Sequence, residues 1–200
     1  MRRVTPVVVT LTLLIGVGLA PTAWGADTYE VDVAHTTVGF TVRHLVINKV
    51  RGRFGKFKGT IVYDEKNLAK SSVQGVIRAE SIDTDHPKRD KHLRSDDFFS
   101  TASHPDITFK SHAVEKGENR HILIGELTMR GVTQEVRIPF EITGKIKDPL
   151  GKTRIGFEAR VRINRQDFGI SYSKVMDNGG LVVGNTVNIE LVGEAVKQES

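Results

Sequence analysis

Residues 155–163 read IGFEARVRI. Ile155, Phe157, Ala159, Val161 and Ile163 recur at every second position, with Glu158, Arg160 and Arg162 between them. Side chains of a strand point alternately to its two faces, so this segment has one dry face and one wet face. Strands of that kind build antiparallel sheets, because a parallel sheet is buried on both faces and reads as a continuous apolar run. The same alternation spreads outward through the chain. It recurs at Val187, Ile189, Leu191, Gly193 and Ala195, and at Val136, Ile138, Phe140 and Ile142. Leu123, Gly125, Leu127 and Met129 form a further set, preceded by Ile107 and Phe109. Val73, Gly75, Ile77 and Ala79 form another, and Val38, Phe40, Val42 and His44 the earliest.

Turn-forming residues separate these segments at Asp64 to Lys70, Lys116 to Asn119, Arg130-Gly131, Asp148 to Gly151 and Asp177 to Gly180. With the stretch from Lys49 to Ile61 included, the pattern predicts an all-β fold of eight antiparallel strands. Such strands close into a barrel or stack as a sandwich, and closure removes the exposed edges. A barrel of this size is either filled by its own side chains or holds one small ligand.

The stretch KVRGRFGKFKGTI, Lys49 to Ile61, carries Lys49, Arg51, Arg53, Lys56 and Lys58 interleaved with Phe54 and Phe57. Cations among aromatics suit single-stranded nucleic acid. Strand parity gives a different reading. A β-bulge near Phe54-Gly55 adds one residue and turns all the cations outward. Phe57, Gly59, Ile61 and Tyr63 then face inward. The outward cations fit an anionic head group, a membrane surface or a plain solvated strand face.

Asp83 to Phe99 breaks the period-two pattern. Pro87 suits a first helical position, and Asp85/Arg89 and Asp90/Arg94 are spaced as helix-supporting pairs. This predicts one short helix between strands, lying across a barrel end and anchored by Leu93, Phe98 and Phe99. Arg89, Asp90, His92 and Arg94 cluster there, as a clamp for a ligand head group or as an ion-pair network. His44, at inward parity near a strand end, hydrogen-bonds either a head group or neighbouring backbone. Arg165 and Asp167 are placed to tie down a loop beside Phe168.

The chain's start has the layout of a secretory leader: Arg2 and Arg3, an apolar run from Val7 to Leu19, Pro21, then Ala23-Trp24-Gly25. The reading is a signal peptide over residues 1–25 and one domain over 26–200, with no transmembrane anchor after cleavage. Removing Arg2 and Arg3 leaves 27 basic residues (29 less two) against 24 acidic ones. So mild an excess argues against a nucleic-acid partner. The chain has no cysteine, which excludes a thiol nucleophile and cysteine-ligated metal.

Inward parity assigns a lumen wall to Phe40, Val42, Phe57 and Ile61, then Ile77, Phe109, Leu127 and Phe140, then Phe157 and Val161. Phe98, Phe99 and Phe168 join it from the helix segment and the later loop. Gly59, Gly75 and Ala159 leave room beside them. The sequence contains no catalytic constellation. His86 and His92 are six apart and fall on different helix faces, and no GxSxG elbow, P-loop or dinucleotide fingerprint occurs. No metal site, cofactor or enzyme activity is expected. An enzyme acting on a bound lipid, or a filled barrel used as an interaction module, stands as the alternative.

Several motifs, taken in order, resemble the YceI-like family of exported lipid-binding proteins. They are VDVAHTTVGFTVRHL (31–45), GRFGKFKGTI (52–61) and SIDTDHPKRDKHLRSDDFF (81–99), then HPDITFKS (104–111), GELTMRGVTQEV (125–136) and INRQDFGI (163–170). The resemblance covers about Tyr29 to Ala195. It implies a lipocalin-like barrel open at one end. It also implies a bound isoprenoid quinone, polyprenyl phosphate or fatty-acyl lipid in the lumen, a homodimer, and a periplasmic location.

Overall fold

The computed structural model describes residues 25–45, 47–118, 120–174 and 182–199. Apart from Gly25, the leader reading lies outside them, as does the Asp177 to Gly180 turn. Eleven strands are numbered in chain order. β1 is Asp27–Val31, β2 Thr37–His44, β3 Asn48–Phe54, β4 Phe57–Tyr63, β5 Ser72–Arg78 and β6 Ile82–Asp83. After helix α1, Pro87–Arg94, come β7 Asp106–Glu115, β8 His121–Met129, β9 Val132–Lys147, β10 Thr153–Asn164 and β11 Val183–Lys197.

Hydrogen bonding runs β1-β4-β5-β7-β8-β9-β10-β11, and β11 returns to β1, pairing Val31 with Ala195 and Tyr29 with Lys197. The sheet is therefore a closed barrel of eight antiparallel strands, as the alternation predicts. Three of the eight are broken in the middle. β1 and β2 lie end to end along β11, with Val42 opposite Val187. β3 and β4 form the next strand, and β5 and β6 the one after.

Two of the breaks have a local cause. Between β1 and β2, Asp32 caps a single turn of 3₁₀-helix by accepting the Ala34 N–H. Thr36 there packs against Gly193, where an added Cβ would meet Thr36 Oγ1 at 2.1 Å, so only glycine fits. Between β3 and β4, the Gly55 N–H turns to the Ser81 carbonyl and the Lys56 N–H to Ser81 Oγ. This is the irregularity expected at Phe54-Gly55. Phe57, Gly59, Ile61 and Tyr63 face the interior beyond it.

α1 starts as anticipated with Pro87 at its first turn, but the acids ahead of it do not cap it. His86 Nδ1 accepts the Arg89 N–H instead. Neither i,i+4 ion pair forms among the described residues. Arg89 bonds Thr84 Oγ1 and the Thr84 carbonyl, while Arg94 reaches the carbonyls of Glu80 and Ile82. Those carbonyls sit where the strand dissolves into a 3₁₀ turn, and a forked guanidinium satisfies them better than a distant carboxylate would. A helix of eight residues is too short to hold by itself. Leu93, Phe98 and Phe99 pin it to the barrel.

The antiparallel meander sorts the connections into two ends. The β4–β5, β7–β8 and β9–β10 turns share the near end with both termini of the barrel. The β2–β3 hairpin, the α1 segment, the β8–β9 turn and the β10–β11 connection share the far end. Buried apolar residues form two clusters. One, about Tyr29, Ile61, Ile155 and Ala195, packs the near end. The other, including Phe54, Ile82, Phe98, Met129 and Phe168, packs the far end. Among the described residues, no helix is long and apolar enough to cross a membrane.

Candidate ligand-binding cavity

Lined by residues of both clusters, the barrel interior holds a partly open cavity of about 280 Å³. That is close to the lower end of the ~300–1,000 Å³ typical of small-molecule pockets. Strands from all around the barrel contribute to the wall, and α1 adds Leu93. Lys58, Gln74, Thr108 and Glu158 border the cavity at alternate, outward strand positions, so they contribute backbone while their side chains face away. Thr36, Tyr63 and Arg165 also border it, and the exposed inner surface is otherwise almost entirely hydrocarbon.

The room comes from small residues. Gly59 and Gly75 stand directly opposite each other on β4 and β5. A Cβ at Gly75 would have only the Lys58 carbonyl near it, at an ordinary 3.5 Å. Gly52 plays a different part. The Phe40 ring lies over it, 2.4 Å from where its Cβ would be, so the glycine lets the ring fold flat along the wall. Phe40 stacks tilted against Phe54 at 5.7 Å, and Phe54 meets Phe99 edge-on at 5.9 Å. This aromatic train leads from the wall to the helix end.

Of the lumen residues read from the sequence, Phe40, Val42, Phe57, Ile61 and Ile77 line the cavity. So do Phe98, Phe99, Phe109, Leu127, Phe140, Phe157 and Val161. Phe168 does not. It is 2 % exposed in the far-end cluster, on a 3₁₀ turn (Arg165–Phe168) that ends at Gly169 with φ +72°. Parity arguments stop applying once the chain leaves the strand. Leu93, Met129, Ile138 and Ile170 also line the wall. Met129 and Ile138 carried the period-two signal, whereas Ile170 lies in a loop and carried none.

None of the residues considered for a head group borders the cavity. His44 is half-buried at the end of β2, paired in register with Asn48 and Val183. Asp90 is buried and accepts both the Thr84 N–H and its hydroxyl, at 3.0 and 2.5 Å. With Arg89 on the same hydroxyl, this group fastens α1 to β6. His92 is wedged edge-on between Phe98 and Tyr172, with its Nε2 2.8 Å from Asp97. The α1 cluster is thus a structural network.

Arg165 is the charged side chain buried at the cavity's edge. It is 4 % exposed and forks onto the carbonyls of Ile170, Gly184 and Val183 and onto Asn185 Oδ1. Burial holds its pKa below the usual arginine value. It ties the chain after β10 to the start of β11, as its position beside Phe168 suggests.

Asp32, His35 and Glu194 bring three metal-ligand-type atoms within 4.8 Å of one another. The Arg154 guanidinium already stands among these acids, 2.6 Å from Asp32 Oδ2 and 3.2 Å from Glu194 Oε2, with Asp148 on its other side at 2.9 Å. A cation is therefore supplied by the chain itself. The Arg154 hydrogen bond, then that of His35, lowers the Asp32 pKa to about 2. A carboxylate with a depressed folded-state pKa contributes stability above its unfolded value and loses it as pH falls through the folded one. Urea midpoints should therefore drop as pH goes from about 4 to about 2. Asp32→Asn, which keeps an acceptor for the Ala34 N–H, should flatten that part of the profile. An unchanged profile would remove Asp32 as its source.

The family described as YceI-like domain matches residues 29–195. Protein YceI of Escherichia coli O157:H7 is 42% identical over 153 residues, covering 76% of this chain and 80% of that protein. The crystal structure of the Campylobacter jejuni YCEI protein is 33% identical with a TM-score of 0.67, covering 84% of this chain and 96% of that one. A polyisoprenoid binding domain from Saccharophagus degradans shares the fold at 16% identity and a TM-score of 0.64, covering 86% of this chain and 99% of that one.

Proposed function

This chain belongs to the YceI-like domain family, and from that premise we propose that its barrel binds, without chemistry, a long-chain isoprenoid or related amphipathic lipid and carries or sequesters it in the periplasm. The observation that carries this reading is the hydrocarbon-walled cavity of about 280 Å³ inside a closed barrel. The Saccharophagus degradans neighbour, a polyisoprenoid binding domain, supports the same ligand class. The secretory layout of residues 1–25 supports the compartment.

The mechanism is partition. A tail leaves water for a wall that offers almost only carbon, and the polar head stays outside. Each methylene buried contributes about 0.8 kcal/mol, close to a fourfold gain in affinity. A homologous series of alkyl or prenyl ligands should thus tighten about fourfold per added carbon until the lumen is full, then level off. Fluorescence displacement titration measures this, and affinity indifferent to tail length would sink the proposal. Native mass spectrometry with organic extraction would identify the resident guest. Turnover of an added lipid would replace carriage with catalysis.

A further inference from the structure

The barrel carries a second feature on its outer wall at the far end. Leu45 and Ile47 sit at the tip of the β2–β3 hairpin, and both are exposed, Ile47 to 87%. Behind them the outward strand positions are cationic. Arg43 faces Lys49 across the hairpin, and the next row runs Arg162, Asn188, Thr41, Arg51 across β10, β11, β2 and β3. A groove of about 430 Å³ lies over this row, bordered by Gly39, Thr41, Arg51, Arg162 and Asn188. Gly39 leaves it open, since a Cβ there would meet nothing closer than 3.7 Å.

The acids on this face are already engaged. Glu190 and Glu158 are held by Arg160, and Asp83 and Asp85 by Arg53. Lys49, Arg51 and Arg162 have no carboxylate partner among the described residues. The near end offers a contrast. Its β9–β10 turn also exposes Ile146 and Leu150, but Lys145 is paired with Glu65 and Asp148 with Arg154. Lys147 and Lys152 at that turn also have no carboxylate partner among the described residues, so the far-end tip is set apart by its two successive cationic rows and the groove over the second of them.

We propose that this tip docks the protein on an anionic phospholipid bilayer. At ~3.3 Å per residue, Arg43 and Lys49 stand ~7 Å behind the tip and the Thr41–Arg51 row ~13 Å behind it. A head-group layer is ~5–7 Å deep per leaflet, and interfacial apolar groups sink ~5–10 Å. Seating Ile47 and Leu45 at the acyl boundary puts the first cation pair at phosphate level. The second row lies above it, outside the head groups but within reach of the surface potential.

The test is sedimentation of the purified protein with phosphatidylglycerol/phosphatidylethanolamine vesicles and with pure phosphatidylcholine vesicles. Binding is expected to the anionic vesicles alone and to weaken at high salt. Arg51→Ala with Arg162→Ala should lower it roughly 25-fold, about fivefold per cation. Ile47→Ser should lower it about tenfold, and Leu150→Ser at the opposite end should change nothing. Thermal melts confirm that each variant is folded. Equal binding to phosphatidylcholine, or anionic binding that survives the arginine and Ile47 changes, would overturn the proposal. So would loss on Leu150→Ser. Dissociation of a dimer on Ile47→Ser with vesicle binding intact would assign the tip to a second copy of the chain instead. The readout does not depend on the lumen, so failure here leaves the ligand proposal standing.

Discussion

Replacing Gly75 by phenylalanine is expected to cost about a hundredfold in affinity for a long-chain ligand while the barrel stays folded. The position faces the cavity from β5, directly opposite Gly59. Its added Cβ meets only the Lys58 carbonyl at 3.5 Å, an ordinary contact, so the backbone need not move. Phenylalanine is also a better strand former than glycine. The ring then occupies lumen that a tail would use. Displacing about four methylenes forfeits about 3 kcal/mol, or about two decades in Kd. Gln74→Phe is the control, because that side chain is exposed and points outward one residue earlier. A Gly75→Phe protein that binds as well as the parent would show that the tail does not lie between β4 and β5. Gly59 is a poorer choice, since its Cβ would press on Val31 Cγ2 at 3.1 Å and confound fold with fit.

Arg165→Met should be the most destabilising single change at the site, by about 3 kcal/mol. Methionine nearly matches the length of the stem but offers no donors. The carbonyls of Ile170, Gly184 and Val183 and the Asn185 amide oxygen would all lose the guanidinium that now serves them. Relief of the charge's own burial penalty offsets part of the loss, which keeps the figure below the sum of the bonds. For a domain of this size the melting temperature should fall by about 10 °C. Lysine should not rescue it, because a single ammonium cannot reach acceptors that the guanidinium's separate nitrogens now serve. A melting temperature within about 2 °C of the parent, under 1 kcal/mol on the same scale, would mean that water or a rearranged loop takes over these acceptors.

These two expectations differ in how far they were legible in advance. Gly75 belongs to an alternating set with Val73 and Ile77, and its inward direction follows from counting residues. Arg165 lies after β10 ends. Its partners are contributed by Ile170 and by the start of β11, and no local rule links the three places. Phe168 shows the same limit. Apolarity marked it as interior, correctly, but the 3₁₀ turn carries it into the far-end cluster rather than to the cavity wall. The arginines of α1 were expected to find acids one helical turn away. They bond carbonyls instead, Arg94 those of Glu80 and Ile82 and Arg89 that of Thr84, along the irregular stretch between β5 and α1. Tyr29 passed unnoticed as a core residue, although it is fully buried. Its burial depends on β1 closing the ring against β11.

Steric alternation along a strand is a property of neighbouring residues, so the chain's own order of apolar and polar residues settles which strand side chains share the dry face and that the sheet is antiparallel, while closure into a barrel rather than a sandwich is decided by β1 meeting β11. Whether those inward side chains meet or leave a void is a different kind of quantity. It depends on the bore that eight closed strands impose, and on which small residues come to lie beside each other in its wall. Gly59 finds Gly75, and Phe40 lies down over Gly52, only after distant segments are brought into register. The cavity, the buried arginine at its edge and the cationic hairpin tip are all sums over several strands, and no single stretch of the chain contains them.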